Sequence, residues 1–288
     1  MASGLVLIDK PQGITSFDVV AKLRKKLNTR KIGHAGTLDP MATGLMILGV
    51  NQGTKLLQFL IGMDKQYHAT IRLGASTVTD DAEGEIVKAI DASGITASQV
   101  DREISKLTGA ISQTPSSVSA KKIEGKRAYD LVREGVEVEL KPKEVSISRF
   151  DRVAEIRVDG GFIDFDVVVD CSSGTYIRAL ARDIGLALGV GGHLTALRRT
   201  SIGSYSLEAA QDLGDEIVLT PLLEATARLY PTRELSDAEV VDVHHGKPLK
   251  LDSDEDVLAL SHQGELVAIS KFSNGLYRSQ IVVASEEN

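Results

Sequence analysis

Between two apolar segments of this chain lies the octet Gly33–Pro40, GHAGTLDP, through which neither a helix nor a strand can run undisturbed. Gly33 and Gly36 give the backbone unusual freedom, and Pro40 removes an amide donor. Any fold must therefore set a tight polar loop against its core, with His34 and Asp39 supplying a ring and a charge on that loop. Two readings fit the octet. Asp39 and Pro40 are a common helix start, an N-cap followed by the first helical residue. Alternatively, the glycines let the backbone pass close to a ligand and the carboxylate does chemistry.

The flanking sequence supplies the elements that hold such a loop. Gly4–Asp9 reads as a short buried strand that ends in the turn Pro11–Gly13. Thr15 and Ser16 offer N-caps to an amphipathic helix, with Phe17, Val20, Leu23 and Leu27 inward and Lys22, Arg24, Lys25 and Lys26 outward. After the octet, Leu45–Val50 resumes as an apolar strand, and a short helix from Thr54 to Leu60 leads to Lys65–Gly74, which alternates like a strand. Thr96–Leu107 has the spacing of a capped helix, Phe162–Cys171 is a long β-rich run, and Thr175–Leu188 returns to helical spacing. Residues 112–140 are polar, basic and rich in breakers. They read as a mobile insert that can close over an anionic ligand through Lys121, Lys122, Lys126 and Arg127. Beyond Leu219, the short runs Val257–Ser261, Glu265–Lys271 and Leu276–Ala284, with Gly and Asn turns between them, predict a small β-barrel-like terminal domain.

Bulk properties narrow the class. Hydrophobic residues at 42% and charged residues at 25% are ordinary globular values, and the start, MASGLVLIDKP, does not read as a signal peptide. With Cys171 as the single cysteine, the chain forms no internal disulfide, and the expected compartment is the cytoplasm. The net charge of -7 is unevenly spread. Residues 1–72 hold ten Lys and Arg against four Asp and Glu (+6), residues 73–206 seventeen against twenty (-3), and residues 207–288 six against sixteen (-10). A basic front joined to an acidic tail permits nucleic-acid binding by the front.

The chemistry is narrowed by what the motifs lack. One cysteine and six scattered histidines show no metal-ligand spacing, and there is no phosphate loop, dinucleotide fingerprint or nucleophile elbow. A second feature is Cys171–Arg178, CSSGTYIR, where a strand ends in a small-residue turn that caps a helix, and Arg178 falls in that helix's first turn.

Taken in order, Gly4–Pro11, the octet with Thr37-Leu38-Asp39-Pro40, Asp64-Lys65-Gln66-Tyr67, Cys171–Arg178 and Leu197-Arg198-Arg199 resemble the bacterial tRNA pseudouridine-55 synthases, the TruB family. The resemblance runs over residues 4–220. It implies a mixed α/β (α+β) catalytic domain over residues 1–219, built on a largely antiparallel sheet with flanking helices. Residues 220–288 would form a small PUA-like β domain. It further implies a cofactor-free isomerase that flips a uridine out of the T arm of tRNA, acting as a monomer with no guide RNA and no membrane. Asp39 matches the catalytic carboxylate, acting as nucleophile or as base; Arg178 matches its partner, and Tyr67 the aromatic residue against the base. His34, Lys10, Gly36, Thr37, Tyr176 and Leu197 match substrate-binding positions. For Lys10, which matches a lysine near the active-site entrance, the implied role is structural as much as catalytic, and a plain surface ion pair with Asp9 is the alternative.

The chain departs from the family pattern at Val78, where an aspartate is usual, and at Ser116 and Val118, which replace a proline and a tyrosine. Two rival classes are an RNA-binding module without turnover and a glycoside-processing enzyme. The intact Asp39, Tyr67 and Arg178 count against the first, and the lack of an obvious second carboxylate counts against the second.

Overall fold

The computed structural model describes residues 2–116 and 141–284, with the backbone of 122–123 and 126–127. Most of the insert expected over 112–140, Val118 included, lies outside the described residues. Lys122–Ile123 and Lys126–Arg127 pair as a short antiparallel ladder.

Ten strands form one sheet whose main path runs Gly4–Lys10, Thr43–Val50, Gly192–Ile202, Lys65–Leu73, Phe162–Cys171, Lys143–Arg152 and Gly109–Gln113. Every neighbour on this path is antiparallel except the contact of Thr43–Val50 with Gly192–Ile202, which is parallel and short, through Arg198 with Thr43 and Arg199 with Gly44. Gly44 is needed there. Its φ is +102, and a Cβ on it would stand 2.2 Å from the Arg199 carbonyl oxygen. This junction sets the segment after the octet beside Arg199, whose Nη2 reaches back to the Gly36 carbonyl at 3.1 Å.

The helix Ser16–Lys26 covers one face of the sheet. Thr15 caps it through a reciprocal capping box with Asp18, which fixes the helical phase. Ser16, Val19, Val20 and Leu23 then face inward, and Phe17, expected inside, is 66% exposed. The inner stripe begins one residue earlier than the apolar spacing suggested, because a small polar residue, Ser16, occupies its first position. The helices Ala97–Lys106 and Ile177–Ala187 complete this face, sharing a core with Ile8, Met46, Ile71, Phe165 and Val167.

On the opposite face, Leu5, Leu7, Leu45 and Ile47 pack under Leu56, Leu57 and Leu60 and under Ala259, Leu266, Ile269, Ile281 and Val283 from the end of the chain. The terminal residues form a four-stranded sheet, Thr232–Glu234, Val257–His262, Glu265–Ser273 and Leu276–Val282. Its hairpins turn on Gln263-Gly264 and Asn274-Gly275, all four with positive φ, the geometry that matches strand twist in two-residue turns. A local core around Leu235, Val243, Leu260 and Tyr277 supports it. The boundary expected after residue 219 falls on a bridge, because Leu5 and Thr220 exchange two backbone hydrogen bonds of 3.0 and 2.8 Å. Among the described residues no helix is long and apolar enough to cross a membrane.

Candidate active site

The octet is a loop between two strands. Ile32–His34 pairs with Thr43–Val50, the Ala35 amide donates to the Ile47 carbonyl, and Gly36 turns the chain at φ +111. Asp39-Pro40 starts no helix. Residues 39–42 close a turn in which the Ala42 amide donates to the Asp39 carbonyl, and a strand follows at Thr43. Two side chains anchor the loop. Ser16 Oγ donates to the Leu38 carbonyl (3.0 Å) and accepts from the Leu38 amide (2.8 Å). Lys10 Nζ donates to the carbonyls of Pro11, Ile14 and Pro40 at 3.0, 2.7 and 3.2 Å.

Lys10 is fully buried, and burial brings its ammonium down to about 8 against the pull of Asp39, Glu83 and Asp18. The alternative of a surface pair with Asp9 is not what forms: Asp9 is bound by Arg198 at 2.6 Å. Lys10 is thus a brace beneath the octet.

Asp39 faces Arg178, whose Nε stands 3.1 Å from its Oδ2. Arg178 is the second residue of its helix, at the end of the turn that follows Cys171. The same guanidinium reaches Asp81 Oδ2 through Nη1 at 3.3 Å and donates to the Thr79 carbonyl at 2.8 Å. Asp81 was not among the residues expected at the site. Its one signal in the sequence was the turn Asp81-Ala82-Glu83-Gly84, just after the departure at Val78. It is buried and held by Thr79 Oγ1 at 2.5 Å and by the Glu83 amide at 3.0 Å. Arg178 is therefore clamped between a buried carboxylate and one that opens onto a cavity. Desolvation pushes the Asp39 carboxyl above its ordinary range, Arg178 draws it back, and Asp81 adds to the rise.

That cavity, of about 620 Å³, is lined by Gly36, Thr37, Leu38 and Asp39 of the octet, by Lys65 and Tyr67, by residues 173–178, and by Leu197 and Arg199. Its size is that of a small-molecule site. Of the sequence-derived site residues it gathers Asp39, Tyr67, Arg178, Gly36, Thr37, Tyr176 and Leu197. Tyr67 lies opposite Val169 and Arg199 in the sheet, and burial raises its phenol pKa, so it is protonated at neutral pH. Tyr176 is fixed by Gln113, whose side-chain amide accepts from the Tyr176 amide (2.8 Å) and donates to its carbonyl (3.0 Å). Cys171 is buried, its thiol pushed up to about 11, and is no nucleophile.

Lys10 and His34 are not among the residues lining the cavity. His34 lies earlier in the same loop, and burial, which outweighs the Gly36 backbone, keeps its imidazole neutral. A second cavity of about 510 Å³ takes in His68, Thr70, Asp166 and Arg198 and shares only Leu197 with the first. The described residues hold no cluster of three or more His, Cys, Asp or Glu arranged for a metal ion.

The model of the TruB family pseudouridylate synthase N-terminal domain matches residues 24–177, and that of the tRNA pseudouridylate synthase B C-terminal domain matches residues 178–227. A tRNA pseudouridine synthase B of Paenarthrobacter aurescens (strain TC1) is 49% identical over 298 residues, covering 99% of this chain and 96% of the relative. One of Corynebacterium efficiens is 55% identical over 252 residues, covering 86% of this chain and 84% of the relative. Among solved structures, a chain of a Cbf5-Nop10-Gar1 complex superposes with a TM-score of 0.68 at 25% identity, covering 97% of this chain and 84% of that one.

Proposed function

This chain belongs to the TruB family of pseudouridylate synthases, and from that premise we propose that it isomerises uridine 55 in the T arm of tRNA to pseudouridine, in the cytoplasm, as a monomer without guide RNA or cofactor. Residues 1–219 act as the catalytic unit, and residues 220–288 as a PUA-like β unit. The single observation that supports the chemistry best is the clamp in which Arg178 joins cavity-facing Asp39 to buried Asp81.

The reaction breaks the bond from ribose C1′ to base N1 and joins C1′ to C5, with the C5 proton lost and N1 reprotonated. Atoms and charge balance without an outside reagent. A base within the folded T arm is out of reach, so the uridine is flipped into the cavity, at roughly a few kcal/mol in lost stacking. His34 packs into the opened loop of the RNA. Asp39 starts the reaction as a carboxylate, either adding to C1′ or taking the C2′ proton. Arg178 favours the ionised form and fixes its direction through Nε. Asp81 orients the arginine, leaving Asp39 the one carboxylate of the clamp that faces the substrate.

Tyr67 lies under the base and relays the C5 proton. Gly36 and Thr37 bring backbone close to the nucleotide, Leu197 and Tyr176 wall it in, and Lys10 braces the loop from behind.

An unmodified tRNA transcript incubated with the full chain tests this reading. Mass spectrometry of nuclease fragments is expected to show pseudouridine at position 55 alone, with no metal or cofactor added beyond the magnesium that folds the RNA. Pseudouridine at another position, or none, refutes it.

A further inference from the structure

Two cations in the cavity wall play no part in the steps above. Arg199 is 1% exposed, donates Nε to the Leu45 carbonyl (2.8 Å) and Nη2 to the Gly36 carbonyl (3.1 Å), and lies against the Tyr67 hydroxyl. Lys65 is 8% exposed and donates Nζ to the carbonyls of Ile61 (3.1 Å) and Met63 (2.6 Å), which leaves one of its three N–H groups unused among the described residues. Neither is ion-paired to a carboxylate among the described residues. The two side chains converge on Gly36: a Cβ there would stand 3.4 Å from Arg199 Nη1 and 3.8 Å from Lys65 Cε. The glycine leaves room for both.

Two buried like charges with no carboxylate in contact among the described residues are costly to keep. Burial and repulsion from Arg199 bring the Lys65 ammonium down to about 8, against a weaker pull from Asp64. The negative groups, Asp39 and Asp81, sit together on Arg178 instead, and Tyr67 lies within the field of both Asp39 and Arg199. The cavity is polarised, with carboxylates at one side and, at the other, two cations that no described carboxylate pairs with. A site that maintains such an arrangement is built for an anion that appears during the reaction.

We propose that Lys65 and Arg199 stabilise the uracil anion released when the C1′–N1 bond breaks. This rests on the pseudouridine-forming reading and adds two catalytic residues to it. Whether Asp39 attacks C1′ or takes the C2′ proton, the electron pair of the broken bond departs on N1. The freed base then carries one negative charge shared by N1, O2 and O4. That charge persists until C5 bonds to C1′; the neutral adduct then gives up its C5 proton and gains one at N1. During the turn of the base, O2 and O4 stay available as acceptors, so a fixed cationic wall holds the anion in both orientations.

The test uses the full chain under single turnover with saturating tRNA carrying either uridine or 5-fluorouridine at the target position, and follows loss of the starting nucleoside, because 5-fluorouridine has no C5 proton to lose and stops at the C5-linked adduct. Fluorine stabilises the departing anion by itself, so that substrate needs the wall less. Lys65→Met is expected to slow uridine rearrangement by roughly 10²-fold, the scale of losing one preorganised donor, and to slow 5-fluorouridine far less. Lys65→Arg should restore most of the rate, with tRNA affinity unchanged in both variants. Should Lys65→Met melt below the assay temperature, Lys65→Gln, which keeps a donor for the Ile61 and Met63 carbonyls but no charge, makes the same comparison. Equal losses on both substrates overturn the proposal, as does weakened tRNA binding at an unchanged single-turnover rate, which would mark Lys65 as a phosphate contact. An active wild type alongside an equally active Lys65→Met sinks this inference alone, whereas a wild type that forms no pseudouridine sinks the underlying function.

Discussion

At the scale of single residues, Asp39 sets function against stability. Burial raises its carboxyl pKa above the ordinary value of 3.8, so the folded chain holds that proton more tightly than the unfolded chain does. The cost of ionising Asp39 therefore develops as pH rises through the interval between the two values, and it is fully present above the folded one. Asp39→Asn removes that cost and leaves Arg178 paired with Asp81. The variant is expected to melt no lower than the wild type at neutral pH while losing roughly 10²–10⁴-fold in rate; a calorimetric melt alongside a single-turnover assay checks both halves. For the same reason the acid limb of the wild-type rate should lie above 3.8. Arg178 behaves differently. It serves Asp39 through Nε and Asp81 and the Thr79 carbonyl through Nη1, a fork that lysine cannot reproduce. Arg178→Lys is expected to lose at least about 10²-fold in rate and also to melt several degrees lower, because Asp81 is buried and would be left poorly paired. An unchanged melt would show that Asp81 does not depend on the arginine. For Tyr67, a relay role requires that both Tyr67→Phe and Tyr67→Leu fail, and an active phenylalanine variant would leave stacking as its only task.

At the scale of elements, the loop that carries Asp39 is held by a helix start and by a strand junction. Ser16 belongs to the first turn of its helix, yet its hydroxyl serves both the amide and the carbonyl of Leu38, one residue before the carboxylate. Ser16→Ala leaves a buried amide without its partner, at about 1–3 kcal/mol, and frees the loop. The expected result is a lower melting temperature together with a reduced rate at unchanged tRNA affinity, and a stability loss with full activity would show that the clamp does not position Asp39. The strands Gly4–Lys10, Lys65–Leu73 and Phe162–Cys171 and the capped helices were legible, because period and capping residues act locally. Seven of the nine chosen site residues share one cavity because their motifs lie at loop and strand ends that the sheet brings together. Phe17 was misplaced because a buried serine, recruited by a loop 22 residues away, took the inward position. Asp81 and the pairing of Lys65 with Arg199 were missed because their meaning arises only where the sheet and the octet meet. Of the roles open to Lys10, the structural one is what forms, though nothing local reveals three carbonyls closing around its ammonium.

At the scale of the whole molecule, charge and packing make different demands on the acidic tail. Residues 207–288 carry six Lys and Arg against sixteen Asp and Glu, which by charge alone makes them a poor RNA surface. Removing them to test that point would strip Ala259, Leu266, Ile269, Ile281 and Val283 from the face formed by Leu5, Leu7, Leu45 and Ile47, and would break the bond from Lys55 Nζ to the Val282 carbonyl. A fragment ending near residue 219 is therefore expected to aggregate. The charge question is answered instead by substitutions in the full chain. On the basic front, Lys26 is occupied by the carbonyls of Leu213, Gly214 and Asp215, and Arg24 by that of Ile32. Lys22, Lys25, Arg30 and Lys31 remain exposed and free to meet phosphate. Each phosphate neutralised on duplex RNA should steepen the plot of log affinity against log salt by an amount comparable to the value for B-DNA, about 0.9. Replacing these four with alanine is expected to flatten the slope in proportion to the number of phosphates they neutralise. Neutralising Asp252, Asp254, Glu255 and Asp256 should leave the slope unchanged, with equal or slightly tighter binding as repulsion falls. Salt titrations of tRNA binding with the three proteins in parallel decide the matter. If the slope ignores the front and binding tightens strongly when the tail is neutralised, the RNA lies against the terminal sheet, and the charge asymmetry has been read the wrong way round.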